Sequence, residues 1–307
     1  MMRIQISRAG KFLQILLLVL VASTGHLSRL FCQEMKGTLK VMTYNIWNGF
    51  DWGKDTARNN DFVDWIRAQD PDVLALQELC GYTEEKLLLD AKRWGHSYAV
   101  ILKTEGYPVG LTSQSPIVVK DRMLDSLWHG MLHVETFGID FYVVHLSPAD
   151  CEFRWREASI ITDKIKADGR ERVMVLGDFN SHSPFDADRL IHNKSLLEKY
   201  RNSDEKSKYS NLRDGAHDFS VISTFLSQPL IDMCPYFVEA DKRYSFPTPA
   251  LVGIYQTADQ VEVNKERIDY IVVSPALVRH CSGIKIYNEG VPKTLSDHFP
   301  VMATFSF

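Results

Sequence analysis

Four apolar stretches of this 307-residue chain end in residues that a core avoids. Val73-Leu74-Ala75-Leu76 runs into Gln77-Glu78, and Phe141-Tyr142-Val143-Val144 runs into His145. Val173-Met174-Val175-Leu176 runs into Gly177-Asp178-Phe179-Asn180, and Leu295-Ser296-Asp297-His298 stands just before the apolar run from Val301. Carboxylates, amides and imidazoles are the groups that bind cations and carry protons. An unpaired carboxylate is costly to bury, so acids at the ends of buried runs must meet partners or a cation. Ligand sites in α/β sheets lie beyond such strand ends. One instance is weak evidence. Four define a candidate cluster of Glu78, His145, Asp178, Asn180, Asp297 and His298.

Positioning that cluster requires strands that end together. Residues 38–46 alternate as a strand, with Leu39, Val41, Thr43 and Asn45 on one face and Lys40, Met42, Tyr44 and Ile46 on the other. Residues 55–69 carry Phe62, Val63, Trp65 and Ile66 at helical spacing, and Asp70-Pro71 stops them. Further helices are predicted over 83–94 and 152–167. Strands are predicted at 73–76, 98–102, 110–112, 117–120, 131–136, 140–146, 173–176, 267–274, 283–287 and 301–305. Strands both follow one another and alternate with helices, which predicts two mixed, largely antiparallel sheets covered by helices. Residues 183–230 are polar and thin in strands and read as a helical insertion packed by Leu190, Ile191, Leu196 and Leu197. Specificity is often placed in such loops.

Composition is that of a globular chain, with 45% hydrophobic and 24% charged residues. Arg3, Arg8 and Lys11 precede an apolar run from Leu13 to Ala22, followed by small residues. Residues 1–33 thus read as a signal peptide and the rest as an exported domain, 34–307. The run is short for a membrane span, and Phe31 before Cys32 speaks against lipid attachment. Residues 34–307 carry 31 basic and 39 acidic side chains, a net charge of −8, which disfavours tight duplex binding. Cys80 and Cys151 are the first pair to consider for a disulfide, with small buried thiols as the alternative. A monomer without stable membrane insertion is expected.

Thr43-Tyr44-Asn45-Ile46-Trp47, Leu76-Gln77-Glu78, Val144-His145-Leu146, Gly177-Asp178-Phe179-Asn180, Arg267-Ile268-Asp269-Tyr270 and Ser296-Asp297-His298 occur in that order. Together they resemble the endonuclease/exonuclease/phosphatase superfamily, the group of pancreatic deoxyribonuclease, over about residues 39–305. The resemblance implies a four-layer α/β/β/α sandwich with its site at one edge of the paired sheets. It implies a phosphoesterase in which Glu78, Asn45 and Asp297 hold Mg²⁺ or Mn²⁺. It makes Asp269 the carboxylate that orients His298, with either Asp178 or His298 activating water and His145 and Asn180 contacting phosphate.

The periphery departs from the family pattern. Leu146-Ser147-Pro148-Ala149 follows His145 where sphingomyelinases carry a glutamine-containing segment, and Gln114 stands where many relatives carry arginine. Trp47 is read as a core residue, and His182 as rim or core with equal weight. Tyr244-Ser245-Phe246-Pro247-Thr248 resembles a loop near the family's site and receives no role. The first functional reading is an exported phosphodiester hydrolase acting on a small molecule, lipid headgroup or sugar. A secreted nuclease and a non-catalytic binding module are the alternatives.

Overall fold

The computed structural model describes residues 37–307, so the expected signal peptide and Cys32 lie outside the described residues. The first sheet holds, in spatial order, β13 (Cys281–Ile286), β14 (Val301–Ser306), β1 (Thr38–Asn45), β2 (Val73–Gln77), β4 (Gly110–Ser113) and β3 (Tyr98–Ile101). The second holds β11 (Ile231–Asp232), β12 (Asp269–Val273), β8 (Val173–Asp178), β7 (Ile139–His145), β6 (Met131–Thr136) and β5 (Val118–Met123). A small hairpin pairs β9 (Leu212–Arg213) with β10 (Ala216–His217). Each six-stranded sheet has a single parallel pair, β1 with β2 and β7 with β8; the other neighbours are antiparallel.

A parallel pair needs a long crossover, and helices supply both. Helix α1 (Thr56–Gln69) joins β1 to β2, and Asp55 caps it by accepting from the Arg58 N–H. Helix α2 (Glu84–Arg93) follows β2, capped by Thr83. Helix α3 (Cys151–Asp168) joins β7 to β8 between an Asp150 cap and the left-handed Gly169. Within 183–230 lie α4 (Ala187–His192), α5 (Lys194–Asp204) and α6 (Ser220–Ser227). Leu190 and Leu196 are buried there, but Ile191 is 62% exposed.

Strand alternation sorts the core into three rows. Met42, Tyr44, Leu74 and Leu76 pack under α1 and α2 against Phe62, Ile66, Leu87 and Ala91. Tyr142, Val144, Val175 and Val272 pack under α3 and α6 against Ala158, Ile161, Val221 and Phe225. The opposite row of each strand faces the other sheet, where β1 and β2 meet β8. These are the layers of an α/β/β/α sandwich, as expected. Asn45, His145, Asp178 and Asp269 belong to that inner row and close it at one end. β7 and β8 approach so tightly that a Cβ on Gly177 would lie 1.9 Å from the Val144 carbonyl oxygen.

The proposed disulfide is corrected by the structure. Cys80 and Cys151 are free and buried. The Cys80 backbone backs onto the turn at Gly49, whereas the Cys151 thiol donates to the Leu212 carbonyl, so the two residues are packed against different segments, as the alternative of small buried thiols expects. Strand β12 starts at Asp269 rather than at 267, and the N–H groups of Ile268 and Asp269 donate to Ser245 Oγ instead of to a neighbouring strand. Among the described residues no helix is long and apolar enough to cross a membrane.

Candidate active site

Register brings the second sheet's polar residues into line. His145 is the Cα partner of Asp178 across β7 and β8, and Asp178 is the partner of Asp269 across β8 and β12. His298, just before β14, places Nδ1 2.9 Å from Asp269 Oδ2 and Nε2 3.8 Å from Asp178 Oδ2. His145 Nε2 lies 3.5 Å from the same Asp178 oxygen. Asn45, at the end of β1, crosses between the sheets: its Nδ2 donates to Asp178 Oδ2 at 3.1 Å and to Glu78 Oε1 at 3.3 Å. Asn180 holds Asp178 through its backbone N–H at 2.9 Å, while its side-chain amide donates to the Leu146 carbonyl. Asp297 is half-buried and close enough to Glu78 for their charges to repel. All eight residues named from the sequence therefore meet at one edge of the paired sheets.

A left-handed turn forms the wall beside Glu78. Trp47 to Gly53 all have positive φ, a conformation that costs roughly 1–2 kcal/mol per ordinary residue. Its N–H groups explain the strain: Asn48 N donates to Glu78 Oε2 at 2.7 Å and Trp47 N to Asn45 Oδ1 at 3.1 Å. Arg58 braces the turn by donating to the carbonyls of Ile46, Trp47 and Leu295. Gly49 must stay glycine, since a Cβ there would sit 2.1 Å from the Cys80 carbonyl oxygen. Gly49→Ala should therefore lower the melting temperature and disturb the turn that holds Glu78, read by thermal melts. Trp47 is half-buried, with its ring against Tyr255 and the Arg58 guanidinium, so it lines this wall instead of the core.

The 244–248 loop, which carried no role in the sequence, organises the acid–imidazole pair. Ser245 Oγ accepts from the backbone N–H groups of Ile268 and Asp269, and the Phe246 ring packs on His298 at 4.9 Å. Thr248 N donates to the Asp297 carbonyl. His182 is buried and bonded to Glu266 at 2.7 Å, away from the rim. Gln114 donates to the Pro71 carbonyl, a structural bond. His129 was missed entirely; it stacks on His145 at 4.3 Å from a loop that carries no sequence signal.

Burial and crowding set the site's electrostatics. Burial pushes the Asp178 carboxyl up to about 8, with Asp269 adding to the effect and His298 opposing it. Burial also raises Glu78 and Asp297, and Asp297 adds to the shift of Glu78. His145 is driven well down by burial, then by His129 and His298, so its ring is neutral. Burial alone would lower His298 too, but Asp269 and Asp178 outweigh it and hold the ring well above its ordinary value.

Three raised carboxylates and the buried, unpartnered Asp269 Oδ1 describe a site short of positive charge, and hard oxygen donors suit a divalent cation. Asp178, Asp269 and His298 place ligand atoms within 4.8 Å of one another and could hold an ion. Asp269 Oδ2 and His298 Nδ1 are bonded to each other, which leaves Asp269 Oδ1 and His298 Nε2 as the free atoms of that pair.

Residues 42–298 match the Endonuclease/Exonuclease/phosphatase family. The chain belongs to that family. No curated protein sequence matches it. An AP endonuclease from Archaeoglobus fulgidus shares the fold at a TM-score of 0.65 and 18% identity, over 88% of this chain and 100% of that one. The 3′ phosphatase NExo from Neisseria, bound to a product DNA hairpin, aligns at 0.65 and 19% identity over the same shares. A humanised D. rerio TDP2 aligns at 0.58 and 17% identity, over 88% of this chain and 99% of that one. Within this endonuclease/exonuclease/phosphatase chain, Arg58 and Ser245 are the supporting residues that sequence reasoning passed over. Ser245 stood in the 244–248 segment that resembles a loop near the family's site, while nothing local marked Arg58.

Proposed function

We propose that this chain is a divalent-metal-dependent hydrolase of phosphodiesters that activates water between Asp178 and His298. The observation that carries the reading is the buried Asp269–His298 pair facing Asp178, with Asn45 linking Asp178 to Glu78. Asp269 fixes the ring so that Nε2 is the nitrogen that meets substrate. The electrostatics divide the two roles. His298, drawn toward its protonated form, donates to a phosphate oxygen, while Asp178, raised to about 8, is a stronger base than an ordinary carboxylate and takes the proton of the attacking water. Neutral His145 donates a hydrogen bond to the developing charge. Asn180 keeps one amide hydrogen for a non-bridging oxygen. A divalent cation, Mg²⁺ or Mn²⁺, held by Glu78 and Asp297 would neutralise phosphate charge, with Asn45, expected from the sequence as a ligand, instead turning its NH₂ to hold the Glu78 and Asp178 carboxylates.

Nitrophenol release from bis(p-nitrophenyl) phosphate tests the reading: it should require added Mg²⁺, and undiminished release in excess EDTA would overturn it. Glu78→Gln should retain its circular dichroism spectrum yet need about tenfold or more Mg²⁺ for half-maximal activity. The net charge of −8 over residues 34–307 favours a small ester over duplex DNA. Plasmid digestion beside the small ester decides between them.

The raised Asp178 also has a pH consequence. Its folded pKa of about 8 exceeds the roughly 4 of an unfolded aspartate, so its contribution is fully present below pH about 4 and is lost as pH rises toward 8. Metal-free protein should melt at a lower temperature at pH 8 than at pH 6, Mg²⁺ should raise Tm more at pH 8, and Asp178→Asn should flatten both trends. A Mg²⁺ shift equal at the two pH values would count against this assignment.

A further inference from the structure

The hydrolase chemistry leaves unused a run of rings that begins at the surface and ends in the site. Trp52, 48% exposed, meets Tyr107 with ring centroids 6.4 Å apart. Tyr107, 36% exposed, meets His129 at 5.5 Å, and His129 stacks on His145 at 4.3 Å. On the other side Trp47 meets Tyr255, which is 72% exposed, at 6.4 Å. Both tryptophans ride on the strained left-handed turn whose N–H group holds Glu78, so their placement is tied to the site itself. The Tyr107 phenol is raised first by burial and then by Cys80, Glu78 and Tyr255, as fits a ring set between the two walls.

Exposed aromatic faces beside a phosphate site are platforms for flat rings, because stacking removes apolar surface from water on both partners. An acidic domain is poorly suited to a long polyanion, which limits the ring to one on a small molecule. We infer that Trp52 and Tyr107 form a subsite for a ring carried next to the phosphate, so that the substrates are small phosphoesters of a nucleoside or a cyclic sugar. This inference rests on the phosphoesterase reading for its location. A lipid surface is the poorer fit, since the rings run inward toward Asp178 rather than standing out as one apolar face.

Titration calorimetry with Mg²⁺ present tests it without turnover, using thymidine 5′-phosphate, glucose 6-phosphate and glycerol 3-phosphate. At least one ring phosphate should bind about tenfold more tightly than glycerol 3-phosphate, and the nucleoside and hexose arms tell which ring is read. Trp52→Leu and Tyr107→Leu should each bring that ratio down several-fold, with circular dichroism checking the fold. Equal binding of ring and acyclic phosphates would overturn the subsite, as would a ratio unchanged in both variants. Binding to phosphatidylcholine vesicles that Trp52→Leu abolishes, without ring selectivity, would overturn it in favour of a lipid surface. Ring selectivity in a protein that hydrolyses no ester would leave the subsite standing and remove the hydrolase reading alone.

Discussion

His298→Ala should lower turnover of bis(p-nitrophenyl) phosphate by about a thousandfold, within the range lost when a preorganised donor to the developing charge is removed. The imidazole is 5% exposed and connects Asp269 to Asp178, and His145, the other ring beside Asp178, is held toward its neutral form by burial and cannot replace its charge. Asp269→Asn should come close to the same loss, because an amide can accept where Nδ1–H must donate but can also present its NH₂ and select the wrong tautomer. The two losses should not multiply in the double variant, since both act through one ring. His298→Ala also strands the Asp269 carboxylate, whose Oδ1 already lacks a partner, so stability should fall by about 1–3 kcal/mol. Urea titration separates that effect from the kinetic one. A folded His298→Ala protein that retained a tenth of the activity would remove the imidazole from the chemistry.

Arg267→Met should be the most destabilising single change outside the site. The guanidinium is 2% exposed; its Nε donates to Asp186 at 2.7 Å and its two terminal nitrogens grip Asp232 at 3.1 and 2.7 Å. It also lies over the Tyr270 ring. Removing one member of a buried ion cluster costs about 3–5 kcal/mol, because the carboxylates left behind are uncompensated. Lysine cannot restore the planar two-point contact with Asp232, so Arg267→Lys should recover little. Adding Asp186→Asn and Asp232→Asn to Arg267→Met should recover much of the loss, seen as a urea midpoint moving back toward wild type. A wild-type midpoint for Arg267→Met alone would show the cluster to be energetically idle. The loss should extend to activity, since Asp269 stands two residues away on the same chain segment.

These expectations show where sequence reading succeeds. Strand ends such as Leu76-Gln77-Glu78 and Leu176-Gly177-Asp178 are legible because a buried apolar run that ends in an acid is a local contradiction, which only a partner or cation resolves. Arg267 could be read only as one letter of a motif. Its partners Asp186 and Asp232 lie 81 and 35 residues away, and nothing local distinguishes a buried arginine from a surface one. His129 was likewise invisible, because its stacking on His145 arises from a loop with no periodicity.

The linear sequence by itself determined the alternation of Met42 and Tyr44 with Val41 and Asn45, hence that the two pairs fall on opposite faces, because side-chain direction in a strand follows from backbone geometry alone. It also determined the helices over 55–69 and 152–167, because the spacing of apolar residues is a local property of the chain. Only the tertiary structure decided that the opposite row of each strand meets its counterpart in the other sheet, so that Asn45 can donate to Asp178 across 133 residues. It alone bent Trp47 to Gly53 into a left-handed turn, kept Cys80 from Cys151, and put rings beside the acids. Long-range packing and the desolvation that comes with it overrode local preference at each of these places.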